Sequence, residues 1–337
     1  MSLLPYSERW LYELERPWGR RLLEAAWSES FALLLALRRS WLRPAPCAAC
    51  SVLSVGSLLV GGAGKSAVVG YLAERLLRDG ARVALLSRGY GRRAKEPCIV
   101  GPEEPLLAPE CIGDEPAMLL AALRSQGLAP WLGVGANRAS LLEALLRRSG
   151  GLDWAVLDDG FQQRRLEAAF DICLMTGESR SALFPMGPLR EPLRRVWDAD
   201  LLWLHGGDGA WPSVTHIAGR AAEVLSRYRL RTTAMPDAFS LLSGVGRNRN
   251  VLSLLEASGL RPAYTVLLRD HAAPKERQLE RLRELGLPVL CTAKDEARFG
   301  GQCRRCGLEL QVMQVQLDFL EGEALLWKGV RAAAHAR

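Results

Sequence analysis

Apolar positions along this chain of 337 residues recur with two alternating periods, and those periods predict its elements. Near the start, Leu23, Trp27, Phe31, Leu34, Leu35, Trp41 and Leu42 recur at helical spacing, flanked by Arg20, Arg21, Arg38, Arg39 and Arg43. The pattern predicts an amphipathic helix over 20–41 with basic ends, stopped by Pro44 and Pro46. Its unbroken apolar stretch, 31–37, is far shorter than the roughly 20 residues that cross a bilayer. Such a helix lies in a headgroup layer or packs on the protein's own core.

Further on, short apolar runs predict strands at 52–55, 83–86, 131–134, 154–157, 172–175 and 201–204. Helical patterns fall between them, including 65–78, which ends at Gly80, and 140–148. Strands alternating with helices are the mark of an α/β fold. The expected architecture is P-loop NTPase-like, a doubly wound and mostly parallel sheet. Further runs at 240–245, 264–268 and 289–292 predict a second, smaller α/β domain. The expected division is an N-terminal amphipathic, membrane-associating helix in 1–45, a P-loop domain in 46–230 and the smaller domain in 231–337.

A hydrophobic fraction of 49% and a charged fraction of 24% place the chain among folded globular proteins and away from disordered or polytopic membrane classes. The net charge of +7 points to an anionic partner without choosing among nucleic acid, lipid and phosphorylated metabolites. No basic segment, apolar run and small-residue cleavage site follow one another at the start, so a cytoplasmic location is expected. Eight cysteines there are expected to stay reduced. Cys47/Cys50 and Cys303/Cys306 nonetheless have the CxxC spacing of metal knuckles, at opposite ends of the chain.

The chemistry concentrates in two places. Gly61-Gly62-Ala63-Gly64-Lys65-Ser66 lies between a predicted strand and a predicted helix, the setting of a phosphate loop. Glycines let backbone N–H groups turn toward phosphate, Lys65 reaches the β/γ oxygens and the Ser66 hydroxyl can ligate Mg²⁺. Leu59 stands where the common GxxxxGK[S/T] pattern has its first glycine. The strand at 154–157 then delivers Asp158-Asp159-Gly160 to the C-terminal edge of the sheet, as a Walker B element does. Two adjacent carboxylates repel, so a cation is the better account: Asp158 and Asp159, with Ser66, are the candidate metal ligands. One of the two acids can instead orient water or the acceptor hydroxyl, which makes Asp159, with Lys65, a catalytic candidate too.

Val55-Gly56, the phosphate loop, Ser87-Arg88-Gly89-Tyr90-Gly91, Gly113-Asp114-Glu115-Pro116 and Asp158-Asp159-Gly160-Phe161-Gln162 together resemble the tetraacyldisaccharide 4'-kinase family of lipid A synthesis. So do Pro185, Gly187-Pro188-Leu189-Arg190-Glu191-Pro192, Gly244-Val245-Gly246, Asp270-His271 and Thr292-Ala293-Lys294-Asp295. A phosphate loop lacking its first glycine is that family's own form. Ser66 departs from its usual threonine and Ala293 from its common glutamate. The resemblance implies ATP and Mg²⁺ as cofactors and transfer of the γ-phosphoryl group to the 4'-hydroxyl of an acylated glucosamine disaccharide 1-phosphate, giving a product of the lipid IVA type. It implies a dyad of Asp114 and His271 at the acceptor; with the basic helix, the expected partner is an anionic membrane surface at the cytoplasmic face of the bacterial inner membrane, and the expected state a monomer. Arg88, Arg138 and Arg190, with Gln162, are the candidate substrate-binding residues, the arginines because a guanidinium grips phosphate oxygens bidentately.

A P-loop GTPase or metal-insertion switch using the CxxC pairs is the rival. Lys294 and Asp295 are adjacent, which the NKxD spacing of guanine recognition does not allow. Nucleic acid is not an expected partner, since the aromatics are not interleaved with Lys and Arg on a recognition element.

Overall fold

The computed structural model describes residues 18–40, 44, 47, 49–60, 63–162, 165–176, 183–185, 187–206, 215–231, 235–245, 248–269 and 272–335. The first helix, α1, is Trp18–Ser40. The main sheet opens with β1 (Ser51–Gly56), followed by α2 (Lys65–Arg78), β2 (Val83–Ser87), β3 (Cys98–Val100), α3 (Pro109–Ile112) and α4 (Asp114–Arg124). Next come β4 (Trp131–Val134), α5 (Arg138–Ser149), β5 (Trp154–Asp158), β6 (Phe170–Met175) and β7 (Leu201–Gly206). A small hairpin, β8 (His216–Ile217) and β9 (Arg220–Ala221), precedes β10 (Val224–Leu230).

The spatial order is β15-β10-β7-β6-β1-β5-β2-β4-β3, where β15 (Val315–Glu321) arrives from the far end of the chain. Every pairing from β10 to β4 is parallel, while β3 and β15 close the two edges antiparallel. The order reverses at β1, which lies between β5 and β6, and ligands bind outside the carboxyl ends of strands at such a switch point.

Both faces of this sheet are covered, which is why its strands read as apolar runs rather than alternations. Leu53 and Val55 of β1 and Trp154 and Val156 of β5 face α2 and α4 together with α9 (Glu323–His335). Their neighbours Val52, Ala155 and Leu157 face α5. Leu202 and Leu204 of β7 join Leu58, Leu59, Leu183 and Leu189 under Phe31 and Ala32 of α1.

The second sheet runs β12-β11-β13-β14, all parallel, from β11 (Ser240–Ser243), β12 (Tyr264–Leu267), β13 (Val289–Cys291) and β14 (Leu310–Val312). Its helices are α6 (Asn248–Ala257), α7 (Glu276–Leu285) and α8 (Ala293–Arg305). The second sheet ends at Val312, and the chain then returns to the first. There β15 pairs with β10, and α9 buries Leu326, Trp327 and Val330 against the main core. That pairing covers the edge that β10 would otherwise present.

Leu72 on the inner face of α2 is fully buried in the core between that helix and the main sheet. Leu72→Ala is expected to destabilise the protein by about 2–5 kcal/mol, read as a fall in Tm, because the rigid sheet below cannot close the cavity.

Candidate active site

The phosphate loop begins where the chain leaves β1. Residues 58–60 run beside 188–190: Val60 N donates to the Pro188 carbonyl at 2.7 Å and Arg190 N to the Leu58 carbonyl at 2.7 Å. Leu59 bridges Leu189 and is buried. The residue in place of the usual glycine is thus a core side chain that pins the approach to the loop. Gly61 and Gly62 lie outside the described residues. Ala63 is buried, and Gly64, the N-cap of α2, has φ 79°, which glycine adopts without strain. A Cβ on Gly64 would stand 2.8 Å from the Tyr228 hydroxyl oxygen and 2.9 Å from His205 Cδ2. Lys65 and Ser66 are the first two residues of α2, where backbone N–H groups have no helical partner and the helix dipole favours an anion.

The two predicted acids follow at the end of β5 in opposite environments. Asp159 has φ 58°, a left-handed backbone rare for a residue with a side chain. Its Oδ1 lies 3.3 Å from Lys65 Nζ, and its Oδ2 accepts a hydrogen bond from an Arg190 terminal nitrogen at 2.8 Å. Burial acts to raise this carboxyl, but Lys65 and Arg190 outweigh it and hold it below the ordinary range. For Asp158, burial first and the charge of Glu115 second push the carboxyl up to about 7, against the pull of Lys65. The Ser87 hydroxyl donates to Asp158 Oδ2 at 3.4 Å, while buried Oδ1 has no hydrogen-bond partner among the described residues.

Arg138, the first residue of α5, is buried at a helix end whose dipole disfavours a cation. It donates to the Ala136 carbonyl at 3.2 Å, and its Nε has no partner among the described residues. Burial, then the charge of Arg88, lowers its pKa, against Asp159 and Asp158. Arg88 itself is exposed. Gln162 donates from its amide nitrogen to the Ser57 carbonyl at 2.8 Å, bracing the approach to the loop, and its Oε1 is left without a partner among the described residues.

Asp114 opens α4 after Gly113, and Arg298 of the second sheet's α8 lies 3.4 Å from its Oδ2. His271 and Asp270 lie outside the described residues, so the expected dyad is represented by Asp114 alone. The structure adds residues that sequence reasoning passed over. Glu115 and Ser87 sit within quoted family-like blocks and act on Asp158. His205 and Tyr228, against Gly64, belong to no motif. His205 Nδ1 is 2.9 Å from Ser226 Oγ, which also accepts from Trp203 Nε1 at 2.7 Å, and its ring meets Tyr228 edge-on.

The two CxxC pairs are not brought together. Cys47 Sγ lies 3.6 Å from Cys50 Sγ against the first sheet, and Cys303 and Cys306 pack with the second. Among the described residues no three or more His, Cys, Asp or Glu side chains are grouped to hold a metal.

A family profile described as tetraacyldisaccharide-1-P 4'-kinase matches residues 21–333. The chain belongs to the tetraacyldisaccharide 4'-kinase family. Among its relatives, the tetraacyldisaccharide 4'-kinase of Anaeromyxobacter dehalogenans (strain 2CP-C) is 34% identical, covering 90% of this chain and 87% of its own. The tetraacyldisaccharide 4'-kinase of Parvibaculum lavamentivorans is 35% identical over 86% of this chain and 85% of its own. In fold, the chain is similar to the crystal structure of "apo" form LpxK from Aquifex aeolicus in complex with ATP. The TM-score is 0.74 at 24% identity, covering 94% of this chain and all of that one.

Burial brings the imidazole of His205 in this family member down from 6.5 to about 4. The unfolded chain therefore binds that proton more tightly, and the stability present above pH 6.5 is lost as pH falls toward 4. His205→Gln should flatten the dependence of unfolding free energy on pH across this window by up to about 1.4 kcal/mol per unit. Chemical denaturation at several pH values reads the slope, and an unchanged slope would contradict the burial of a neutral imidazole.

Proposed function

We propose that this chain transfers the γ-phosphoryl group of ATP to the 4'-hydroxyl of a tetraacyldisaccharide 1-phosphate, a lipid A precursor, giving a product of the lipid IVA type. The observation that supports it most is the ion triad of Lys65, Asp159 and Arg190 beside the N-terminus of α2. It collects two cations and a helix end where a triphosphate would lie. Family membership favours this reading over the GTPase or metal-insertion rival, whose cysteine pairs lie on separate sheets.

The residues present suit Mg²⁺. Asp158 offers a buried oxygen with no partner among the described residues, next to Asp159, and Ser66 stands in the first turn of α2 beside Lys65. These are hard oxygen donors, and few are needed because magnesium completes its shell with water and phosphate. Ser66 and Asp158, with Asp159, would hold the ion, which neutralises charge on the β and γ phosphates when bound. Lys65 follows the γ-phosphoryl oxygens as their charge redistributes, leaving Arg190 to balance Asp159. The acceptor's 4'-oxygen attacks the γ-phosphorus, the bond to the β–γ bridging oxygen of ADP breaks, and the hydroxyl proton passes to Asp114. By resemblance His271 orients that hydroxyl. Arg138 and Arg88 supply guanidinium groups to phosphate oxygens, Arg138 being already desolvated at its helix end.

A lipid acceptor accounts for the exposed face of α1. Phe31 and Ala32 pack inward, whereas Leu33, Leu34 and Leu37 are more than half exposed. Trp27 Nε1 donates to the Phe184 carbonyl at 2.9 Å, fastening the helix beside another exposed aromatic. Among the described residues no helix is long and apolar enough to cross a membrane. Contact is therefore proposed to be interfacial, at the cytoplasmic leaflet, with a monomer sufficient.

Incubation with radiolabelled ATP and a tetraacyl disaccharide 1-phosphate, beside GTP and a lipid-free control, should label the lipid from ATP alone. Lys65→Ala is expected to lower kcat by about 100-fold or more with an unchanged circular dichroism spectrum; near-normal turnover in a folded variant would overturn the assignment. Removal of residues 1–43 should weaken sedimentation with anionic vesicles while leaving ATP affinity within about threefold. Equal vesicle binding by the shortened chain would remove this role from the helix.

A further inference from the structure

The segment Thr292-Ala293-Lys294-Asp295 takes no part in the scheme above, yet each of its polar side chains is engaged. Thr292 caps α8 through its hydroxyl, which accepts from Asp295 N at 3.2 Å and donates to Asp295 Oδ2 at 2.7 Å. The other oxygen of fully buried Asp295 accepts from Gly244 N at 3.0 Å, at the end of β11. One turn further along α8, Arg298 donates to the Gly244 carbonyl at 2.8 Å. Gly244, the cap and Arg298 therefore form one rigid unit on the second sheet.

Two cations project from that unit to the first sheet. Arg298 Nε lies 3.4 Å from Asp114 Oδ2, and Lys294 Nζ lies 3.1 Å from Glu115 Oε1. Lys294 and Arg298 are four residues apart and share a helix face, and Asp114 and Glu115 are consecutive at the start of α4. The two pairs thus meet in register. Only 7% of the Arg298 side chain is exposed, so its charge is desolvated and depends on those partners.

We propose that Lys294 and Arg298 are positioning residues, a clamp from the second sheet that fixes the Asp114 carboxylate at the angle from which it takes the acceptor proton. The inference rests on the assignment of Asp114 above. A misplaced base slows chemistry while leaving binding of the triphosphate, which rests on Lys65 and the N-terminus of α2, largely unaffected. The clamp also gives the family-like Thr292–Asp295 block a use: Thr292 and Asp295 aim the helix, and Lys294 and Arg298 act through it.

Steady-state kinetics of the full chain on ATP and the tetraacyl disaccharide 1-phosphate test this. Arg298→Met should lower kcat by about 10- to 100-fold with the KM for ATP within about threefold. Lys294→Met, at a position more exposed than Arg298, should lower kcat by about 3- to 10-fold. The conservative Arg298→Lys and Lys294→Arg should each recover part of the loss, since the positive charge facing Asp114 or Glu115 is restored. Folded Arg298→Met and Lys294→Met proteins with kcat within about twofold of the unaltered chain would overturn the clamp, as would conservative variants no better than the methionine ones. Lys65→Ala run alongside separates the two failures: if it too is active, the phosphotransfer reading fails, and if it alone is inactive, only the clamp does.

Discussion

Asp159 accepts two cations at once, and the arrangement of the phosphate loop depends on it. Lys65 comes from the first turn of α2, Arg190 from the segment that pairs with residues 58–60, and Asp159 from the turn after β5. One carboxylate thus ties the three segments around the loop. Its left-handed backbone is the conformational cost of turning the side chain back toward Lys65. The following Gly160 is required as well, because a Cβ there would stand 2.4 Å from Ser54 Oγ on β1.

The neighbouring acid has the opposite environment. Asp158 is buried, carries one long hydrogen bond from Ser87 and feels the negative charge of Glu115, so its carboxyl resists ionisation. Adjacent carboxylates driven apart in pKa mark a division of labour. Asp159 pairs with Lys65 and Arg190, and Asp158 is the acid whose partnerless oxygen the proposed metal site draws on. Glu115 connects this pair to the second sheet through Lys294, so a charge on the second sheet bears on the acids after β5.

Local signals made much of this legible in the sequence. The helix expected at 65–78 is found as Lys65–Arg78, because Gly64 and Gly80 punctuate both ends with left-handed backbone. Strands buried on both faces, such as β4 and β5, appear as apolar runs and fall within a residue of their expected bounds. The edge was hidden: β10 and β15 carry Arg227, Arg229, Gln316 and Asp318 among their apolar residues, and the whole of the second sheet's sequence lies between them. Return of the chain to the first sheet is a non-local fact that no periodicity records. The same holds at the site. Lys65 and Asp159 stand in motifs, whereas Leu59 as a core residue, His205 and Tyr228 under Gly64, and Arg298 beside Asp114 depend on distant strands and helices coming together.

A crystal structure of the chain soaked with a nonhydrolysable ATP analogue tests the central claim most directly. The account predicts a triphosphate cradled at 61–66, with Lys65 Nζ moved from Asp159 onto the β and γ oxygens and Arg190 still holding Asp159. A nucleotide bound elsewhere, with the Lys65–Asp159 pair intact beneath an empty loop, would contradict it.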